Sequence, residues 1–143
     1  MTIAHWHNDY CTGDDRIDRE HQTLFDMVNA LHHALERSAP LLELRDLLTT
    51  MATHTVEHFR HEEALMQDHQ YPGYARHKQV HDNLLAKVNS LINRLERGEA
   101  VLGSEVTACL TEWLAHHIRG EDQSMIRFFQ AQNQTLLQPT LNP

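Results

Sequence analysis

The chain has 143 residues, 41% of them apolar, with only five glycines, four prolines and two cysteines. That supplies one packed core but is short for two ordinary domains, and it argues against disordered, collagen-like and disulfide-framework classes. A formal net charge of −8 without a Lys/Arg cluster argues against a nucleic-acid partner. No run of about 18 apolar residues offers a membrane span, and MTIAHWHNDY lacks the basic and apolar regions of a signal peptide, so the expected setting is cytoplasmic. Histidine is the outlier, with thirteen copies.

In chain order, residues 1–17 read as an irregular arm and about 18–130 as a helical bundle, with 131–143, ending in QTLLQPTLNP, as a tail of the same single domain. Ser38-Ala39-Pro40 suits a helix start, Tyr71-Pro72-Gly73 a turn, Gly98 a helix stop and Gly103-Ser104 a new N-cap. Four helices are predicted, over 18–37, 41–69, 74–97 and 104–130. Cys11 and Cys109 stand outside any C-x-x-C and are expected to be plain thiols, Cys109 in a helix core.

Within each helix, apolar residues recur at steps of three and four and define a core-facing seam. The seams read His21, Leu24, Val28, Leu31, Leu35; then Leu44, Leu48, Met51, Thr55, His58, Glu62, Leu65; then His77, His81, Leu84, Val88, Leu91, Leu95; then Val106, Leu110, Trp113, His117. Each seam turns polar at one end. Short turns imply antiparallel neighbours, so the fold class is all-α, an up-down-up-down four-helix bundle. In that arrangement the four polar ends coincide. Several ionisable groups buried at one level cost several kcal/mol unless paired or bound to a cation, roughly as isolated buried charges do. A metal site follows, and imidazole with carboxylate and no thiolate suits iron, zinc, copper or manganese.

Spacing is informative about individual ligands. In HTVEHFRHEEALM, Glu62 lies four residues after His58, about 40° away around the helix, and His77 and His81 repeat this geometry. In WLAHHIRGED, an ordinary helix puts Glu121 beside His117, whereas a one-residue π-bulge eased by Gly120 brings Asp122 there instead. Periodicity leaves both open, because Asp122, Ile126, Phe129 and Glu121, Met125, Phe128 continue the seam about equally well.

The stretches Ile17-Asp18-Arg19-Glu20-His21, His58-Phe59-Arg60-His61-Glu62-Glu63 with Met66, Tyr71-Pro72, His77-Lys78-Gln79-Val80-His81, and Trp113 with His117-Ile118 and Asp122 resemble a hemerythrin of the single-domain bacterial type. The resemblance runs from Trp6 and Gly13 in the arm to the end of the fourth helix. It implies a non-haem di-iron site of Fe2+/Fe3+ ions with an oxo or hydroxo bridge. One iron would be held by His77, His81 and His117 and the other by His21 and His58, with Glu62 and Asp122 bridging. It also favours Asp122 over Glu121. His54, His61 and His116 match no family ligand position.

Two six-coordinate irons offer twelve positions; five histidines, two bridging carboxylates and a bridging oxygen fill all but one. The open position falls on the iron of His21 and His58, where dioxygen would bind. Leu24, Phe25, Phe59, Trp113, Leu114 and Ile118 are candidates for a dry pocket around it. Asp18, Glu20 or Glu63 are candidate acceptors for the outer ring nitrogens of the ligands.

The expected function is therefore reversible O2 binding for transport, storage or sensing, without catalysis. With no output domain after residue 130, transport or storage is favoured over sensing, and the partner beyond dioxygen would be an O2-using or signalling protein. The competing readings are a di-iron peroxidase, oxidase or nitric-oxide-handling enzyme, and a module that stores or repairs iron or another metal.

Overall fold

A computed structural model describes residues 3–98 and 104–137. Helix α1 spans Asp15–Glu36, α2 Leu41–Asp68 and α3 Tyr74–Glu96; α4 spans Ser104–His117, passes through a π-helical turn at Ile118–Asp122 and continues as α5, Gln123–Leu137. His117 and Gln123, on either side of the π turn, both have right-handed helical backbone angles. These segments therefore form one rod, the fourth of the bundle. No strand occurs among the described residues.

The boundaries have local causes. Helix α1 starts three residues earlier than expected because Asp14 caps it, its carboxylate accepting from the Ile17 amide at 3.0 Å. Helices α1, α2 and α3 each end with a residue in the left-handed region: Ser38 at φ 54°, Gln70 at φ 53° and Gly98 at φ 77°. At the first two, the paired Schellman bonds are complete: Ala39 N–H donates to Ala34 and Ser38 N–H to Leu35, and Tyr71 N–H donates to Met66 and Gln70 N–H to Gln67. Ser38 thus ends α1, and the N-cap of α2 is Pro40. At the other end of the chain α5 runs past residue 130 to Leu137; of the expected tail, 138–143 lie outside the described residues, as does Gly103 of the expected N-cap.

Three seams bury their predicted residues, apart from Leu35, Leu65 and Leu91, which are half-buried. On α4 the buried line is displaced by one residue, through Thr107, Leu114, His117 and Ile118, while Val106, Leu110 and Trp113 are half-buried. Cys109, expected in the core, is exposed, and both cysteines are free thiols. The main apolar core collects Leu24, Phe25, Val28, Leu31, Leu44, Leu48, Met51 and Leu95 with Leu114 and Ile118. A second cluster of Ile17, Met66, Met125, Ile126 and Phe129 closes the opposite end. Between them lies the polar level.

The arm is docked. Asn29 grips its backbone, accepting from the Ile3 and Ala4 amides at 3.0 and 2.8 Å and donating to the Ala4 carbonyl at 2.8 Å. Trp6 and Tyr10 pack on Phe25 with ring centroids 5.4 and 5.3 Å away. No helix among the described residues is long and apolar enough to cross a membrane.

Candidate metal centre

The antiparallel rods bring His21 of α1, His58 and Glu62 of α2, His77 and His81 of α3, and His117 and Asp122 of the fourth rod to one level. All seven are buried. They form two overlapping groups in which the donor atoms lie within 4.8 Å of one another: Glu62, His77, His81, His117 and Asp122, and His21, His58, Glu62 and Asp122.

The two carboxylates belong to both groups, and each divides its oxygens between them. Glu62 turns Oε1 toward His81 Nε2 at 3.0 Å and His77 Nε2 at 3.4 Å, and Oε2 toward His58 Nε2 at 2.9 Å and His21 Nε2 at 3.3 Å. Asp122 turns Oδ1 toward His77 and His117 Nε2 at 2.9 and 3.1 Å, and Oδ2 toward His21 Nε2 at 2.9 Å. Despite these distances, none of the four carboxylate oxygens has a hydrogen-bond partner, nor do Nε2 of His21, His58 and His77. Buried polar atoms are nearly always satisfied. Apart from Nε2 of His81 and His117, which lie 3.0 Å from each other, these nitrogens and oxygens converge without hydrogen-bond alignment; with no thiolate among them they are a donor set for cations, and the residues fit a pair of iron ions.

Electrostatics describe the same site with protons in place of metal. Burial alone would lower the imidazole pKa values; the charge of Glu62 beside His58 and of Asp122 beside His117 outweighs it and pushes both up to about 10. Burial opposes ionisation of Glu62 too, yet His58, assisted by His117 and His21, holds it well below the carboxylate range. Asp122 is opposed by burial and by the charge of Glu62, and the same imidazoles, His117 foremost, keep it ionised.

Outside the cluster, carboxylates orient the rings. Glu20 accepts from His58 Nδ1 at 2.8 Å and Glu63 from His81 Nδ1 at 2.9 Å, as expected for two of the three candidate acceptors. Asp18 serves elsewhere, accepting from the amide and hydroxyl of Thr12 at 2.9 and 2.8 Å and so pinning the arm to α1. His61 joins the outer layer: its Nδ1 lies 2.7 Å from the second oxygen of Glu20 and its Nε2 2.6 Å from Arg16. His54 and His116 are exposed and outside both donor groups.

The π turn decides which acid of the fourth rod reaches the cluster. Its extra residue puts Asp122 inside, fully buried, and leaves the Glu121 side chain 34% exposed, 3.9 Å from the outer nitrogen of His117. The arm holds that turn from outside. Arg119 pairs with Asp9 at 3.1 Å and lies 4.7 Å over the Tyr10 ring, and Gln123 donates to the Cys11 carbonyl at 3.1 Å. These contacts escaped the sequence reading because they join residues more than a hundred positions apart with no shared periodicity.

Of the residues expected around the open position, Leu24, Phe25, Leu114 and Ile118 share the main core directly below the polar level. Phe59 is buried in an adjoining cluster with Leu84 and Val88, and its ring stacks on His81 at 3.7 Å. Trp113 is half-buried and stacks on His117 at 4.9 Å.

The model of the hemerythrin HHE cation binding domain matches residues 12–129. A bacteriohemerythrin of Stenotrophomonas maltophilia (strain R551-3) is 34% identical over 124 residues, covering 87% of this chain and 80% of the relative. A myohemerythrin of Riftia pachyptila is 31% identical over 117 residues, covering 82% and 86%. The crystal structure of a wild-type hemerythrin aligns with a TM-score of 0.80 at 31% identity, over 85% of this chain and 93% of that one.

Proposed function

The chain belongs to the hemerythrin family, and from that premise we propose that it binds dioxygen reversibly at a non-haem di-iron centre held by His21, His58, Glu62, His77, His81, His117 and Asp122. The observation that carries this reading is the division of labour in the two buried carboxylates, one oxygen of each facing the three-histidine group and the other facing the two-histidine group. His77, His81 and His117 would hold one iron, His21 and His58 the other, and Glu62 and Asp122 would bridge them. When bound, the iron pair supplies the two electrons that dioxygen takes up on binding and returns on release.

The protein's own part is to position and to exclude. Neutral imidazoles, rather than a carboxylate-rich shell, donate little negative charge, which favours release of dioxygen over its consumption. The unequal histidine count would leave room for dioxygen on the side of His21 and His58, and Leu24, Phe25, Leu114 and Ile118 are buried in the main apolar core. Those side chains keep water from the site. Glu20 and Glu63 fix the rings of His58 and His81 so that each presents Nε2 inward with its proton on Nδ1.

The test is anaerobic iron loading followed by cycles of O2 and argon, with the visible spectrum recorded and iron counted. A band that develops under O2 and disappears under argon, at two irons per chain, is the expected result. Direct passage to an irreversible ferric form would move the assignment to a di-iron enzyme, and failure to take up iron would move it to a module for another metal.

A further inference from the structure

The π turn adds one residue to the fourth rod, and isolated π turns are rare in helices. Closing it into regular α-helix would rotate α5 by about 100° and advance it by about 1.5 Å, so that each place after the turn would pass to the residue one earlier in the chain. Much of the inner face tolerates that exchange. Glu121 would stand in for Asp122, Met125 for Ile126, and Phe128 for Phe129, whose ring stacks on His69 at 4.3 Å. Acid replaces acid and apolar replaces apolar, so these pairs do little to fix the register; Ser124 in the place of the fully buried Met125 is the one poor exchange among them.

Two glutamines distinguish the registers. Gln123 donates to the Cys11 carbonyl at 3.1 Å, and the carbonyls of Asp9 and Tyr10 lie 3.5 Å from the same nitrogen. Gln132 donates to the His69 carbonyl at 2.9 Å, and its amide oxygen accepts from Nδ1 of His69 at 2.8 Å. Both partners are fixed in place. Cys11 lies between Tyr10, packed on Phe25, and Thr12, held by Asp18, and His69 is the C-cap of α2. With the turn closed, Asp122 would take the place of Gln123 and present a carboxylate, which only accepts, to three carbonyl oxygens. Ala131 would take the place of Gln132, and its side chain has no polar group to offer His69. The exchange forfeits the bonds of both glutamines.

We propose that Gln123 and Gln132 are positioning residues: they keep the turn open and thereby select Asp122, rather than Glu121, as the acid of the metal centre. Gln132 does this from well beyond the ligand, by holding α5 to the end of α2. The choice has chemical weight, because Asp122 divides its oxygens between His21 on one side and His77 and His117 on the other, whereas Glu121 would bring a longer side chain to the same place. The selection of a ligand rests on the di-iron reading above; the register of the rod does not.

The register is read by thiol labelling of the iron-free full chain, with labelled positions located by mass spectrometry so that Cys11 and Cys109 are counted apart. Closing the turn carries residue 126 into the exposed place of Arg127, but residue 125 only into the buried place of Ile126. In Gln123→Met/Gln132→Met, which removes both amides and keeps side-chain length, labelling of Ile126→Cys should accelerate by roughly tenfold, the scale of one to two net hydrogen bonds. Met125→Cys should stay at its parent rate. Acceleration at both positions would be a general loosening, and an unchanged rate for Ile126→Cys would mean that the glutamines do not set the register; either overturns the proposal. With iron loaded, Glu121→Gln should be silent in the parent, whereas in the variant without the two amides it should lower by roughly tenfold the chelator concentration that removes half the iron. Equal sensitivity in the two backgrounds overturns the selection of the ligand. Failure of the parent to take up two irons would sink the di-iron reading and the ligand selection with it, while the labelling result would still decide the register.

Discussion

Two adjoining levels of the same bundle are built on opposite principles. In the lower level Leu24, Val28, Leu31, Leu48, Met51 and Leu95 fill the space between the rods with hydrocarbon and need nothing from outside. In the upper level the same seams present five imidazoles and two carboxylates, all of them buried. The first level is stable by burial of apolar surface; the second is stable only when its charges are matched, by protons or by metal. Folding and function are thereby assigned to different layers. The outer cluster of Ile17, Met66, Met125, Ile126 and Phe129 closes the polar level from the other side, so the site lies inside the protein rather than at its end.

The largest expected effects break the upper level alone. Glu62→Ala removes the acid that faces His21, His58, His77 and His81 together. It should abolish binding of both irons and destabilise the bundle by about 3–5 kcal/mol, the range for removing one partner of a buried charged network, read from iron content and urea unfolding. Asp122→Asn should likewise empty the centre while Glu121→Gln keeps two irons; the reverse pattern would mean that the π turn does not set the ligand. At the lower level, Leu48→Ala should cost about 2–5 kcal/mol and yet leave two irons per folded chain. Loss of iron in that variant would show the layers to be coupled.

The response to pH sharpens the comparison, since only the upper level titrates. His58 and His117 have pKa values raised to about 10, so in the iron-free protein their stabilisation is complete below the ordinary histidine range and is lost as pH rises through about 10. Glu62 and Asp122 have theirs lowered, so their contribution is present above the ordinary carboxylate range and is lost as pH falls. Iron-free protein should therefore have a higher urea midpoint near neutrality than at either extreme. Metal displaces the histidine protons, so uptake should release acid and tighten as pH rises toward 10. The smallest effect is remote from both levels: Gln70→Gly, at φ 53°, should stabilise by about 0.5–1 kcal/mol because glycine accepts the left-handed region without strain.

Much of this was legible in the sequence because it is periodic. Steps of three and four located the seams, and the polar end of each seam, combined with antiparallel topology, located the site. The features that escaped are those without a period. The displaced seam of α4 follows from Leu114 and Thr107 facing the core, which in the sequence look no more buried than Val106 and Leu110. Ser38 and Gln70 end their helices in a conformation that their residue types do not announce, whereas Gly98 does. At Glu121 and Asp122 spacing favoured the first, and it took either a family resemblance or the π turn itself to favour the second. The docking of the arm on that turn, through Asp9, Tyr10 and Cys11, depends on tertiary contacts alone.

The most direct test of the central claim is a crystal structure of the iron-loaded protein with anomalous diffraction recorded at the iron edge. Two peaks per chain are expected, one within bonding distance of His77, His81 and His117 and the other of His21 and His58, with Glu62 and Asp122 each contributing one oxygen to each. A single peak, or a pair bridged through Glu121 in place of Asp122, would contradict the account.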